Sequence, residues 1–142
     1  MINKISTLVI VIIFVTSCNV FKCKKDISKL EGSWELNYIS GPKIAFDGLY
    51  PDKKPTISFN ITENQFSGNN SCNSYSGKLL TEGKKIDFTR PIAVTKMMCG
   101  DGQGEQTFMS TLEKINTYSI SDEGKTLNFM SGDVTMMRFT KK

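Results

Sequence analysis

No histidine occurs anywhere in the 142 residues. That absence removes the histidine-based triads of nucleophilic catalysis, the histidine-ligated zinc site and the commonest general base near neutral pH. A cysteine nucleophile would lack its normal activating partner. There is no Gly-Lys-Ser/Thr phosphate loop, and no basic stripe interleaved with aromatics that would mark a nucleic-acid module. Carboxylate pairs can be drawn among Asp47, Asp52, Glu82 and Asp87, but nothing in their spacing singles one out. Neither an enzyme nor a cofactor is expected.

Long apolar runs are also missing. The longest lies in "MINKISTLVIVIIFVTS", residues 1–17, where one lysine precedes the apolar stretch Leu8 to Val15 and small residues follow. This is the three-part layout of a signal peptide, and its apolar part is short of the about 20 residues that span a bilayer. The next residue is Cys18, so the stretch closes in "VTSC". A small residue before a cysteine at this place resembles the lipobox of bacterial lipoproteins, which implies lipidation of Cys18 and cleavage before it. More than one acyl chain is expected there, because a single chain binds a membrane only marginally. The competing reading is an ordinary secretory signal with Cys18 near its end. Lipidation would place the protein in the cell envelope, tethered to a membrane. In proteobacterial sorting an aspartate after the cysteine favours retention at the inner membrane, so Asn19 leans toward the outer one.

Residues 18–29 are polar and basic, with Phe21 and Ile27 as their only large apolar side chains, and read as a tether. The net charge of +4 falls to about +3 once the signal's lysine is removed, and much of it lies in "FKCKKDISK" and at Lys141-Lys142. A basic segment beside a lipid anchor suits anionic headgroups, and a solvated tether fits equally well.

The domain is expected over residues 30–142. Period-two alternation recurs in short runs: Trp34, Leu36, Tyr38; Ile57, Phe59, Ile61; Ile86, Phe88; Ile92, Val94; Tyr118, Ile120; Leu127, Phe129; Val134, Met136. The turn signals "DEGK" and "SGD" join the last three runs into a meander. One segment changes period. Phe108, Leu112 and Ile115 fall at i, i+4 and i+7 behind Asp101 and "GDGQG", which predicts a single core-facing helix, with Glu105 suiting its dipole. The expected architecture is α+β: a curved antiparallel sheet or small open barrel of about 7–8 strands with one packed helix.

Cysteine is sparse, four in all. With Cys18 lipidated and Cys23 in the tether, Cys72 and Cys99 remain inside the domain. A bridge between them would close a loop of about 27 residues and add roughly 3 kcal/mol through loop-closure entropy. Two free buried thiols are the other possibility. The sulfur-rich pairs Met97-Met98, beside Cys99, and Met136-Met137 could suit Cu(I), but methionine is more often filler of irregular cores. No metal site is expected.

The cysteines sit in two segments, "SGNNSCNSYSG" and "VTKMMCGDGQGEQTFMSTLEKI", which together with the opening "LEGSWELNYISG" resemble the META-domain family. That family is typified by the HslJ-like heat-inducible bacterial lipoproteins. Gly68, Cys72, Asn73, Tyr75 and Gly77 match its first block, Thr95, Lys96, Met97, Met98 and Cys99 its second, and Glu105 and Phe108 the start of its helix. Ser71 departs from the pattern, standing where the family commonly has glycine. The resemblance covers nearly the whole domain. It implies a turn pinned by Cys72 to Cys99, with Gly68 and Gly77 at reversals or bulges, Asn73 satisfying backbone groups and Tyr75 packed inward. The alternative is a loop forming a ligand-binding rim.

A monomeric, non-enzymatic accessory protein that binds an envelope partner is the expected function, and the fold also resembles pilotin-type lipoproteins. A carrier holding an apolar ligand or lipid inside the sheet is the alternative. If Cys18 carries the anchor, Cys18→Ala should move the protein from the detergent-dependent membrane fraction to the soluble one. Unchanged fractionation of that variant would refute the anchor.

Overall fold

The computed structural model describes residues 27–100 and 102–142. Residues 1–17, read above as a signal peptide, and Cys18, Asn19, Cys23 and Asp101 lie outside the described residues. Ten strands form one antiparallel sheet: β1 (Gly32–Ile39), β2 (Thr56–Asn60), β3 (Gln65–Asn69), β4 (Ser74–Lys78), β5 (Leu80–Glu82), β6 (Lys85–Asp87), β7 (Ala93–Val94), β8 (Thr117–Ser121), β9 (Thr126–Ser131) and β10 (Val134–Lys141). Among the described residues it is accompanied by a four-residue α1 (Phe46–Leu49), the longer α2 (Gln103–Leu112) and a 3-10 turn at Asp122–Gly124.

The strand order is β5-β6-β8-β9-β10-β1-β2-β3-β4-β7. Strands β4 and β5 sit at nearly opposite ends of this order, yet Leu79 alone separates them in the chain. One residue can bridge those positions only if the sheet curls round until its two ends approach. Connectivity therefore imposes the curl. Leu79 fixes the corner, its side chain buried and its N–H donating to the Asn64 carbonyl at 2.8 Å.

The inner face is packed with aromatic rings. Phe88, Phe108, Phe129 and Phe139 are fully buried with Trp34, and edge contacts run from Phe66 to Phe88 (5.0 Å between ring centres) and from Phe129 to Phe139 (5.1 Å). Helix α2 docks Phe108 and Leu112 on this core, with Phe108 5.5 Å from Tyr75. Ile115, expected on the helical stripe, lies just past the helix end but is still buried.

Three strands were not expected. β3 and β4 flank the turn in "SGNNSCNSYSG" and are built of serine, glycine and asparagine, residues of low strand propensity. Each has one large apolar anchor, Phe66 or Tyr75, too few to show alternation. β5 has three residues, too short for a period. Two β-bulges also shift the phase. A register break between Leu36 and Tyr38 turns Tyr38 outward and buries Ile39, and another between Thr135 and Met137 buries Met137 and Phe139 while Val134 is exposed. A one-residue slip moves every following side chain to the other face.

The glycines correct a second expectation. Gly68 and Gly77 are at neither reversals nor bulges; both lie inside strands, without the left-handed backbone. In the β3–β4 register Gly68 faces Tyr75 and Gly77 faces Phe66. Each glycine leaves room for the ring opposite. A methyl at Gly68 would collide with the Thr56 carbonyl and come 2.7 Å from Tyr75 Oη, and one at Gly77 would come 2.6 Å from Phe66 Cζ. Gly77→Ala should therefore cost about 1–3 kcal/mol of overpacking strain, read as a lower urea midpoint with an unchanged slope. An unaffected midpoint would show that Phe66 can move aside.

Burial holds the Tyr75 phenol well above its ordinary value of 10.0, and its O–H donates to the Thr56 carbonyl at 2.7 Å. In the unfolded chain this proton leaves near pH 10. The folded state binds it more tightly, so Tyr75 contributes stability that is complete below that pH and lost as the solution becomes more alkaline. Stability should fall steeply above about pH 10, and Tyr75→Phe should flatten the fall, as followed by urea titrations across alkaline pH.

Candidate functional site

The turn between β3 and β4 is organised by asparagine side chains. Asn69 Oδ1 accepts from the Ser71 N–H at 2.9 Å, and Asn70 Oδ1 accepts from the N–H groups of Cys72 (3.3 Å) and Asn73 (2.7 Å). The turn closes with the Asn70 N–H on the Asn73 carbonyl at 2.9 Å. Asparagine does this readily because its short amide can replace a backbone partner. Ser71, at the departure from the family pattern, has φ of 89°, so this position keeps a glycine-like backbone while carrying a side chain.

Asn73 then reaches across to the segment after β7. Its Oδ1 accepts from the Met97 N–H (2.7 Å) and the Thr95 hydroxyl (2.8 Å). Its Nδ2 donates to the Met97 carbonyl (3.1 Å) and to Glu105 Oε1 (3.0 Å). An amide side chain has two donor hydrogens and two acceptor lone pairs, and all four are used. By bonding both the N–H and the C=O of one residue, the amide imitates a neighbouring strand.

The resulting ladder runs continuously. Ser76 pairs with Ala93 and Tyr75 with Val94 in regular register, and the Thr95 N–H donates to the Ser74 carbonyl at 3.0 Å. Asn73 and Met97 come next through the side chain, and last is the disulfide Cys72–Cys99, with Cα atoms 5.7 Å apart. Two residues of β7 are thus prolonged by an amide rung and a covalent one. Glu105, in the first turn of α2, accepts from both Asn73 and Asn70 (Nδ2, 3.2 Å) and ties the helix to the turn.

Gly68, Cys72, Asn73, Tyr75, Gly77, Thr95 and Cys99 therefore converge on β3, β4 and the prolonged β7 strand. Met98 stands apart from them. Its side chain is 100% exposed, and that of Met97 58%. Asn70, fully buried, was missed in the sequence; the "NNSCN" run was its only signal. Of the four candidate carboxylates, Glu82 and Asp87 lie on the β5–β6 hairpin and line one groove. Asp52 and Glu82 are exposed, while Asp87 accepts from Thr89 (Oγ1 2.7 Å, N–H 2.8 Å), hydrogen bonds that lower its pKa. Met137 fills the core, and Cys99 is oxidised. Among the described residues no group of three or more histidine, cysteine or acidic side chains could hold a metal ion.

Residues 25–142 match the META domain. The chain belongs to the META-domain family. Two solved structures share the fold of this META domain. One is an NMR structure of a protein from Burkholderia xenovorans, 18% identical, with a TM-score of 0.63 over 81% of this chain and 85% of that one. The other is the crystal structure of a DUF4847 family protein from Bacteroides vulgatus, 14% identical, with a TM-score of 0.53 over 80% of this chain and 94% of that one. No curated protein matches the chain. Beside the β4–β5 corner of this META domain, Leu79, Leu80, Ile86 and Ile115 line a groove of about 720 Å³ whose lining also carries Lys78, Glu82, Lys85, Asp87, Glu113 and Lys114.

Replacing Asn73 by alanine strands the N–H and C=O of Met97 and two partners more. Asn73→Ala should cost about 1–3 kcal/mol in urea unfolding, since the partners it leaves are only partly buried and water can serve some of them. A loss under about 1 kcal/mol would mean that water replaces the amide without penalty.

Proposed function

We propose that this META-domain protein is a non-enzymatic module anchored by Cys18 to the cell envelope, where it binds another protein. The observation that supports this reading most is the Met97-Met98 shoulder. Both side chains project into solvent, while the backbone beneath them is held on one side by Asn73 and on the other by Cys72–Cys99. A single exposed apolar residue is ordinary; two neighbours on a backbone fixed by side-chain and covalent rungs form a pre-ordered contact. Methionine suits such a surface because its flexible thioether adapts to different partner shapes.

The polar residues of the turn fit the same view. Asn70, Asn73, Thr95 and Glu105 spend their hydrogen bonds on one another and on the backbone, which supports an architectural role rather than a reacting one. The carrier alternative fits less well, because the inner face is filled by Trp34, Phe88, Phe108, Phe129 and Phe139.

The test is in-envelope crosslinking of the full tethered chain followed by affinity recovery. Met97→Asp with Met98→Asp should abolish or reduce at least about tenfold the recovery of the crosslinked partner while the urea midpoint stays unchanged, as expected when central apolar contacts supply the affinity. Equal recovery from the double variant would overturn the shoulder as the contact.

A further inference from the structure

Strand β7 ends the sheet order, so among the described residues no strand pairs with its outer edge. The Thr95 N–H donates to the Ser74 carbonyl, and both backbone groups of Met97 are bonded to the Asn73 amide. Thr95 and Met97 thus turn their peptide groups toward β4. Successive residues of an extended chain turn theirs to opposite sides. Val94 and Lys96 therefore hold their N–H and C=O outward, along an edge that the Asn73 rung continues beyond the two residues of regular strand. Such groups must find hydrogen-bond partners, and an open edge of them is a template for another strand.

Beside this edge lies a groove of about 600 Å³, with Phe88, Ile92 and Val94 on one side and Glu105, Met109 and Glu113 of the α2 segment on the other. Ile92, Val94 and Met109 are partly buried against the core, which makes the floor apolar. The three residues of the helical wall stand at i, i+4 and i+8, about 6 Å apart along the axis. Side chains on one face of a strand recur about every 6.7 Å. An added strand can therefore set three side chains against an acid, a thioether and an acid. Glu113 is exposed at the C-cap of α2, where a negative charge opposes the helix dipole, and the last turn of the helix holds no basic residue. Among the described residues the salt bridge joins Lys142 to Glu35, so Glu113 has no ion-pair partner. Glu105 accepts from the neutral amides of Asn70 and Asn73. Arg90 is the one cation in the lining.

We propose that this groove takes an extended peptide segment of another protein, added to β7 as a further strand, with basic, apolar and basic residues at alternate positions. Backbone rungs to Val94 and Lys96 supply affinity, and the alternate side chains supply selection. The apolar one packs on Met109, and the basic ones answer Glu105 and Glu113. The order reads alike in both directions, so it serves parallel and antiparallel addition. This inference rests on the protein-binding reading above and supplies its mode, since the edge runs on into the Met97-Met98 shoulder.

The test is a titration of the isotope-labelled full chain, in detergent, with a synthetic heptapeptide in which threonine alternates with arginine, valine and arginine. It should shift the amide signals of Val94, Lys96, Met109 and Glu113 in a saturable way, and the same peptide with glutamate for arginine should not. N-methylation of one alternate set of the peptide's amides should abolish binding while methylation of the other set leaves it, as edge pairing requires. Glu113→Lys should weaken binding about threefold, the size of an exposed ion pair, without lowering the urea midpoint. Glu123→Lys, at the remote β8–β9 turn, should leave binding unchanged. No saturable shift, equal effects of the two methylations, or undiminished binding by Glu113→Lys would each overturn the groove. A partner still recovered by the crosslinking above would then leave the protein-binding reading standing. Edge signals that move with protein concentration before peptide is added would assign the edge to a second copy. Signals that move when Lys22, Lys24 and Lys25 are replaced by glutamine would assign it to the chain's own tether. Either result overturns the peptide.

Discussion

One side-chain amide decides how the irregular half of this domain is held. Asn73 bonds both backbone groups of Met97, the Thr95 hydroxyl and the Glu105 carboxylate. Without it the segment after β7 would keep only the Thr95 N–H on the Ser74 carbonyl as a backbone link to β4, since regular pairing there stops after two residues. The disulfide closes the same segment farther out, but a covalent link at one point does not align a backbone; the amide does. Through Glu105 the interaction also sets where α2 begins, and through α2 where Phe108 enters the core.

The aromatic core and the polar turn are linked by glycine. Tyr75 and Phe66 can lie over neighbouring strands only because Gly68 and Gly77 have no side chain there. The phenol of Tyr75 then reaches the carbonyl of Thr56 on β2, beneath Gly68. A stretch that reads as a loop is thus two strands in which glycine and aromatic residues face each other in pairs, the larger filling the space the smaller leaves.

Sequence alternation disclosed those strands in which two or more large apolar residues share a face, such as β1, β2, β8 and β9, and the helical stripe disclosed α2. It failed where burial is delegated. β3 and β4 each rely on one ring and on the absence of a neighbour's side chain, and that absence has no period. Bulges inside β1 and β10 reversed the facing of Tyr38, Val134 and Met137, because an inserted residue leaves no compositional mark. The motif residues were legible through family resemblance, and so were the Cys72–Cys99 bridge, the inward Tyr75 and the backbone-satisfying amide of Asn73, but not which backbone that amide serves. Asn73 serves as a strand substitute, a role that depends on Met97 being within reach across a gap of 24 residues.

The placement of the first and last strands has a kinetic consequence. β1 lies between β10 and β2, with Trp34 opposite Lys141 and the Lys142 N–H on the Ser33 carbonyl at 2.9 Å. The middle of the sheet therefore cannot be assembled until β10 has been synthesised and freed. Contacts of such long sequence separation make folding slow, because the closure entropy of nearly the whole chain is lost before they form. The same adjacency leaves the two termini of the domain so close that a short splice could join them and new ends be opened elsewhere.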